Sequence, residues 1–171
     1  VVDVGCGDGT YTAVLRAETR AAWILGIDPA AKAIERAKDE YVGRYDGIDF
    51  RNCFAADLLA EGQHFDVAVY RGVIHHVGNP AAEIASALKL ADKAFFLEPN
   101  GYNPVVKLIE RLSPYHRSHS ERSSSLFRYR RWIEAASGRM DRAFYFGLVP
   151  MFCPDRFVSV ADRSASLIEC P

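Results

Sequence analysis

Cysteine is scarce in this chain, net charge is nearly absent, and no long apolar run occurs. The four cysteines, Cys6, Cys53, Cys153 and Cys170, form no Cys-x-x-Cys pair, which excludes a zinc ribbon and a dithiol redox motif and suits a reducing, cytoplasmic setting. No stretch of about 20 apolar residues is present to cross a bilayer as a helix. A formal charge of −1, from 21 basic and 22 acidic residues, provides no global field for nucleic acid. Basic residues do gather between positions 107 and 142, but serines and one tryptophan in a helical pattern make no base-stacking platform, so no nucleic acid partner is expected. His116 and His119 have a spacing that suits a metal, yet no Cys or carboxylate cluster accompanies them, and no metal site is expected. Repeats and long linkers are also missing. What remains is 171 residues, 49% hydrophobic and 25% charged, enough for the core of one globular domain.

The most informative segment is the first. Val1-Val2-Asp3-Val4-Gly5-Cys6-Gly7-Asp8-Gly9-Thr10 is a short apolar strand that runs into glycines at every second position. Such a turn lets a ligand approach bare backbone, although a tight strand-to-helix turn could need the same residues for packing alone. A dinucleotide fingerprint requires its third glycine three residues after the second, where a pyrophosphate meets a helix N-terminus. That position is Thr10, and the third glycine stands at Gly9, so pyrophosphate is disfavoured.

A second apolar segment, Trp23 to Ile27, ends in Asp28, roughly 20 residues beyond the turn, the offset at which an acid accepts hydrogen bonds from ribose hydroxyls. Asp28 also reads as a helix N-cap, with Pro29 as first helical residue and Ala33, Ile34, Ala37 and Tyr41 at helical spacing. A carboxylate there repels a 2′-phosphate. Further strands are expected at Ile48–Phe54, at Phe65–Tyr70 and from Lys93 to a Pro99-Asn100-Gly101 turn, with a helix from Asn79-Pro80 to about Leu90. This alternation predicts an α/β fold, an open parallel sheet with helices on both faces.

In these motifs the chain resembles the Rossmann-like class of S-adenosylmethionine-dependent methyltransferases, whose first motif reads acid-x-Gly-x-Gly-x-Gly, matched by Asp3, Gly5, Gly7 and Gly9. The resemblance covers about the first 100 residues and lies in four motifs in order. It implies S-adenosylmethionine as cofactor and a cofactor-binding set of Asp3, Gly5, Cys6, Gly7, Gly9, Tyr11, Asp28, Pro29, Asp57, Leu58, Tyr70 and Arg71. Within it, Asp57 is expected at the adenine amino group, Leu58 over the ring, and Tyr70 and Arg71 at the pocket beyond the fourth strand. The paired imidazoles His75 and His76 are the candidate catalytic residues, since a histidine near the transferred methyl can take a proton from a hydroxyl acceptor. His76 has an equal claim to a purely loop-tying role. No Asn-Pro-Pro-Tyr-type motif follows the fourth strand, which favours an oxygen or carbon acceptor over the amino group of a nucleic acid base.

The domain is expected to divide into a cofactor-binding core, 1–101, a lid or acceptor-site insertion, 102–137, and a C-terminal strand and helix, 138–171. In the insertion, Pro104–Leu112 and Leu126–Ala136 read as helices flanking a polar stretch, Tyr115–Ser125, and Arg128, Arg130 or Arg131 would attract an anionic acceptor. Arg142–Phe152 reads as a sixth strand and Pro154–Ile168 as a helix. Against the family pattern the chain is expected to be truncated at its N-terminus and to lack the last antiparallel strand, leaving a sheet edge through which copies could pair. The sequence thus predicts methyl transfer to a small molecule, anionic or lipid-like. An NAD-dependent oxidoreductase, a cofactor-binding module without turnover, and a helix at Pro104–Leu112 resting on a membrane surface are the alternatives.

Overall fold

A computed structural model describes residues 1–103, 107, 111–112 and 123–145. Strands β1 (Val2–Val4), β2 (Ile24–Ile27), β3 (Ile48–Arg51), β4 (Phe65–Arg71) and β5 (Ala91–Leu97) alternate with helices α1 (Thr10–Glu18), α2 (Ala31–Tyr41), α3 (Ala55–Ala60) and α4 (Pro80–Leu90). A further helix, α5, spans Leu126–Ala135. The sheet order is β3-β2-β1-β4-β5 and every pairing is parallel, as the alternation predicts. All four residues of β2 are buried, the continuous apolar run of a strand covered on both faces.

Two apolar layers hold the helices to the sheet. On one face Ala13 of α1 and Ile34 and Ala37 of α2 pack with Cys6, Ile48 and Phe50. On the other, Leu58 of α3, Ile84, Ala87 and Leu90 of α4 and Tyr129 and Ile133 of α5 pack with Val2, Ala68 and Tyr70. Helix α4 starts as read from Asn79-Pro80: Asn79 Oδ1 accepts from the Ala82 N–H at 3.2 Å and Pro80 occupies the first turn.

Several boundaries differ from the sequence reading. Trp23 lies before β2, 43% exposed, and stacks on Phe65 at 6.2 Å. Helix α2 begins at Ala31, so Pro29 precedes it by two residues, and Ala30 occupies the cap without a side-chain bond. β3 stops at Arg51, and β5 begins at Ala91 directly after α4. Residues 142–145 form no strand, and the remainder of the expected sixth strand lies outside the described residues. So do the helix expected at Pro154–Ile168, all but three residues of the Pro104–Leu112 helix, most of the Tyr115–Ser125 stretch with His116 and His119, and Cys153 and Cys170.

Candidate functional site

The strand order reverses between β1 and β4, and in open parallel sheets ligands bind beyond the carboxyl ends of the strands at that switch point. The glycine turn follows β1 there, and the β4–α4 loop, residues 72–79, lies against it: a side chain at Gly5 would run into Val73. Gly5, Gly7 and Gly9 all have positive φ. They differ in what they face. A Cβ on Gly9 would stand 2.7 Å from the Phe50 ring, whereas a Cβ on Gly7 would meet nothing within 4 Å. Gly5 and Gly9 are therefore glycines for packing, and Gly7 is the one that opens onto free space.

Asp28 closes the other side. Its Oδ2 accepts from the Gly7 N–H at 3.0 Å and its Oδ1 from the Ala30 N–H at 2.8 Å, so its two oxygens orient the turn instead of capping α2. Asn52 Nδ2 donates to the Asp28 carbonyl at 2.8 Å and ties the end of β3 to the same rim. Each carboxylate oxygen has a second lone pair for a hydroxyl donor.

Arg71, at the end of β4, holds its guanidinium 3.3 Å from the centroid of the Tyr11 ring at the start of α1, a cation–π contact across the mouth of the switch point. Tyr11 is 51% exposed. Asp3 is buried beneath them and accepts from Thr12 Oγ1 at 2.6 Å. Burial pushes the Asp3 carboxyl above its ordinary range, against the opposing effects of Thr12 and Arg71. Cys6 is buried against Phe50, and desolvation, with Asp3 and Asp28 nearby, pushes its thiol up to about 12, so it packs and does not react.

Beyond β4, Glu98 at the carboxyl end of β5 gathers the loop. Its Oε1 accepts from the Val73 and Ile74 N–H groups, both at 2.8 Å, and its Oε2 contacts the His75 N–H at 3.3 Å and His75 Nδ1 at 2.7 Å. The side chains of His75 and Glu98 are 15% and 6% exposed. His76 is exposed, its ring centroid 3.9 Å from that of His75.

The structure therefore brings Gly7, Tyr11, Asp28, Arg71 and His75 to one rim, and it moves others of the expected set away. Tyr70 and Leu58 have no exposed surface. Alternation along β4 turns Tyr70 inward with Ala68, where it packs on Phe96, and Leu58 sits on the inner face of α3, so both side chains lie in the core layer and not on the rim. Asp57 is the third residue of α3 and its Oδ2 accepts from the Phe54 N–H at 2.8 Å, the local capping role of an acid at a helix start. Sequence reasoning missed Phe54 and Glu98. Phe54 caps α3 at the carboxyl end of the sheet with 62% of its surface exposed, a flat apolar face on the rim. Glu98, like Asp28, is an acid just past the end of a strand.

Helix α5 packs onto the sheet. Tyr129 and Ile133 are buried in the core layer, Phe96 lies 6.3 Å from Tyr129, and burial together with Glu98 pushes the Tyr129 hydroxyl well above the usual phenol range. Arg128 and Arg131 line a cavity of about 350 Å³ with Trp132 and Ala135, and Arg131 also faces Phe127 at 6.0 Å.

Comparison with known proteins supports one assignment. Residues 1–92 match the family model described as a methyltransferase domain. Proteins called ubiquinone biosynthesis O-methyltransferase are similar to part of the chain: that of Cereibacter sphaeroides (strain ATCC 17025 / ATH 2.4.3) is 32% identical over 101 residues, 59% of this chain and 38% of the relative. That of Neisseria meningitidis serogroup A is 32% identical over 109 residues, 61% and 45% of the two chains. The chain thus spans less than half the length of these curated relatives. Among solved structures, the YcgJ protein of Bacillus subtilis superposes with a TM-score of 0.71 at 18% identity, covering 98% of this chain and 74% of that one. The magnesium protoporphyrin IX methyltransferase of Synechocystis PCC 6803, solved with S-adenosylhomocysteine, gives 0.57 at 22% identity, with 79% and 61% covered. At these identities the structures speak for the Rossmann-like fold alone.

Proposed function

The chain belongs to the class I, S-adenosylmethionine-dependent methyltransferase-domain family, and from that premise we propose that it moves a methyl group from S-adenosylmethionine to an oxygen of a small-molecule acceptor. The observation that carries this reading is the open backbone at Gly7 opposite the Asp28 carboxylate. The residues fit the group: bare main chain admits the methionine and ribose portions, the carboxylate accepts from ribose hydroxyls, and the exposed Phe54 ring offers a flat face to the adenine. The bound cofactor supplies an electrophilic methyl carbon on a sulfonium.

The protein contributes alignment, exclusion of water and a place for the acceptor's proton. A hydroxyl is a poor nucleophile until deprotonated, and His75, half buried at the loop beside the switch point, is the proton acceptor in this reading. Tyr11 presents a π face that attracts cations, now taken by Arg71. The names of the curated relatives favour oxygen over carbon as the methylated atom. Arg128 and Arg131, on the apolar cavity with Trp132, support an anionic acceptor.

The test is label transfer from methyl-labelled S-adenosylmethionine into pooled phenolic and carboxylate-bearing metabolites. The proposal expects a labelled ether or ester that His75→Ala reduces by about tenfold or more and that charge reversal at both arginines, Arg128→Glu with Arg131→Glu, reduces through acceptor KM. Oxidation of NADH without any label transfer would replace methyl transfer by a redox function.

A further inference from the structure

Glu98 accepts from three backbone N–H groups and contacts His75 Nδ1 at 2.7 Å at the end of β5, and nothing in the methyl-transfer reading requires a carboxylate there. We propose that Glu98 is a positioning residue which sets the tautomer of His75, holding the proton on Nδ1 so that Nε2 is the basic nitrogen. The inference rests on the methyl-transfer reading only for its kinetic consequence.

The geometry carries the assignment. The backbone N–H groups of Val73 and Ile74 donate to Oε1 at 2.8 Å each, and that of His75 reaches Oε2 at 3.3 Å. An N–H can only donate, so the oxygens of Glu98 serve as acceptors, and the 2.7 Å contact to His75 must be donation from Nδ1–H. With one proton on the neutral imidazole, Nε2 then carries the free lone pair. The arrangement is rigid: the carboxylate is 6% exposed, Gly72 N–H donates to the Leu97 carbonyl at 2.8 Å, and the His75 ring passes 3.6 Å from where a Gly72 Cβ would stand. A second residue from β5 thus clamps the loop that carries the candidate base, as the orienting acid does in a nucleophile–base–acid series.

When a hydroxyl loses its proton, Nε2 gains it, and the imidazolium lies against a carboxylate that already faces it. No atom of Glu98 changes its bonding. Three further groups stand near His75 and Glu98. His76 from the same loop lies against the His75 ring, the centroids 3.9 Å apart. Tyr129 of α5 lies near Glu98, its hydroxyl held neutral by burial, so it adds no charge. Arg71, at the head of the loop, is directed to Tyr11.

Glu98→Gln tests the effect with the smallest change of shape, at the cost of the 3.3 Å bond from the His75 N–H. The amide oxygen still accepts from Val73 and Ile74, while the amide nitrogen turns a donor toward His75 Nδ1, which favours the opposite tautomer. The measurement is long-range proton–nitrogen NMR of the histidine rings at a pH where His75 is neutral, with S-adenosylhomocysteine affinity by calorimetry, thermal unfolding, and the pH profile of label transfer. The proposal expects a protonated Nδ1 in the parent, reversal to protonated Nε2 in Glu98→Gln, cofactor affinity within about twofold, and kcat lowered about tenfold or more with the acidic limb of the pH profile displaced. A parent His75 protonated on Nε2, or a tautomer that Glu98→Gln leaves unchanged, overturns it. The parent spectrum decides even where the variant unfolds. Full activity of His75→Ala would instead remove the base from the methyl-transfer reading, and the tautomer data would separate that failure from this one.

Discussion

Gly7 and Gly9 share a left-handed backbone yet should fail in different ways when given a methyl. An L-residue in this region costs about 1–2 kcal/mol. Gly7→Ala should lose only about that much stability, because its Cβ enters open space, but it fills the crevice and should abolish S-adenosylhomocysteine binding. Gly9→Ala adds a clash with Phe50 and Ala37 and should cost roughly 3 kcal/mol or more. Urea unfolding paired with calorimetry distinguishes the two, and equal losses of stability would contradict the assignment of Gly7 as the open position. Asp3 makes a pH-dependent prediction. Its carboxyl is raised in the folded state by desolvation, so its protonated form is preferred there, and stability is lost as pH rises from the unfolded value near 3.8 through the higher folded one. Glu83 is raised by burial too and adds to the same slope. Asp3→Asn keeps an acceptor for Thr12 and should flatten that part of the Tm-against-pH curve while raising Tm at neutral pH. A variant that follows the parent curve would show that Asp3 carries no such cost.

Helix termini decide much at the next scale. Helix α5 ends with Ser137 at φ +62°, the Ser137 N–H on the Glu134 carbonyl at 3.0 Å and the Gly138 N–H on the Ile133 carbonyl at 2.8 Å, the paired bonds of a Schellman end. Serine stands where glycine is usual. Ser137→Gly should stabilise the protein by about 0.5–1 kcal/mol, the relief of the left-handed backbone less the entropy glycine gives the unfolded chain. A fall in Tm would contradict the cap. Elements with strong end signals were legible in the sequence: α4 from Asn79-Pro80, α5 to its stop at Gly138, and five strands in their order. The faces of those elements were harder to read. Position at a strand end placed Tyr70 near the pocket, but whether its side chain points outward depends on a phase set by Ala68 and Phe96 packing. Leu58 and Asp57 were hard to read for a related reason, since a two-residue acid-Leu pair fits a helix start as well as an adenine site, and the structure places Asp57 at the start of α3. Glu98 was hidden because its partners lie 23–25 residues away along the chain.

Taken as a whole, the parallel topology sends four chain segments distant in sequence to one carboxyl rim. The turn after β1, the acid after β2, the loop after β4 and the acid after β5 meet at or beside the place where strand order reverses. The alternation of strands and helices made that convergence readable from the sequence, whereas the clamp between Glu98 and the loop emerged only in three dimensions. The most direct test of the account is a calorimetric titration of the folded chain with S-adenosylhomocysteine, with NADH as the competitor ligand and Asp28→Ala as the variant. The account predicts one site per chain for S-adenosylhomocysteine, weakened by about tenfold or more in Asp28→Ala, and no heat from NADH. Saturable binding of NADH by a chain that ignores S-adenosylhomocysteine would contradict it.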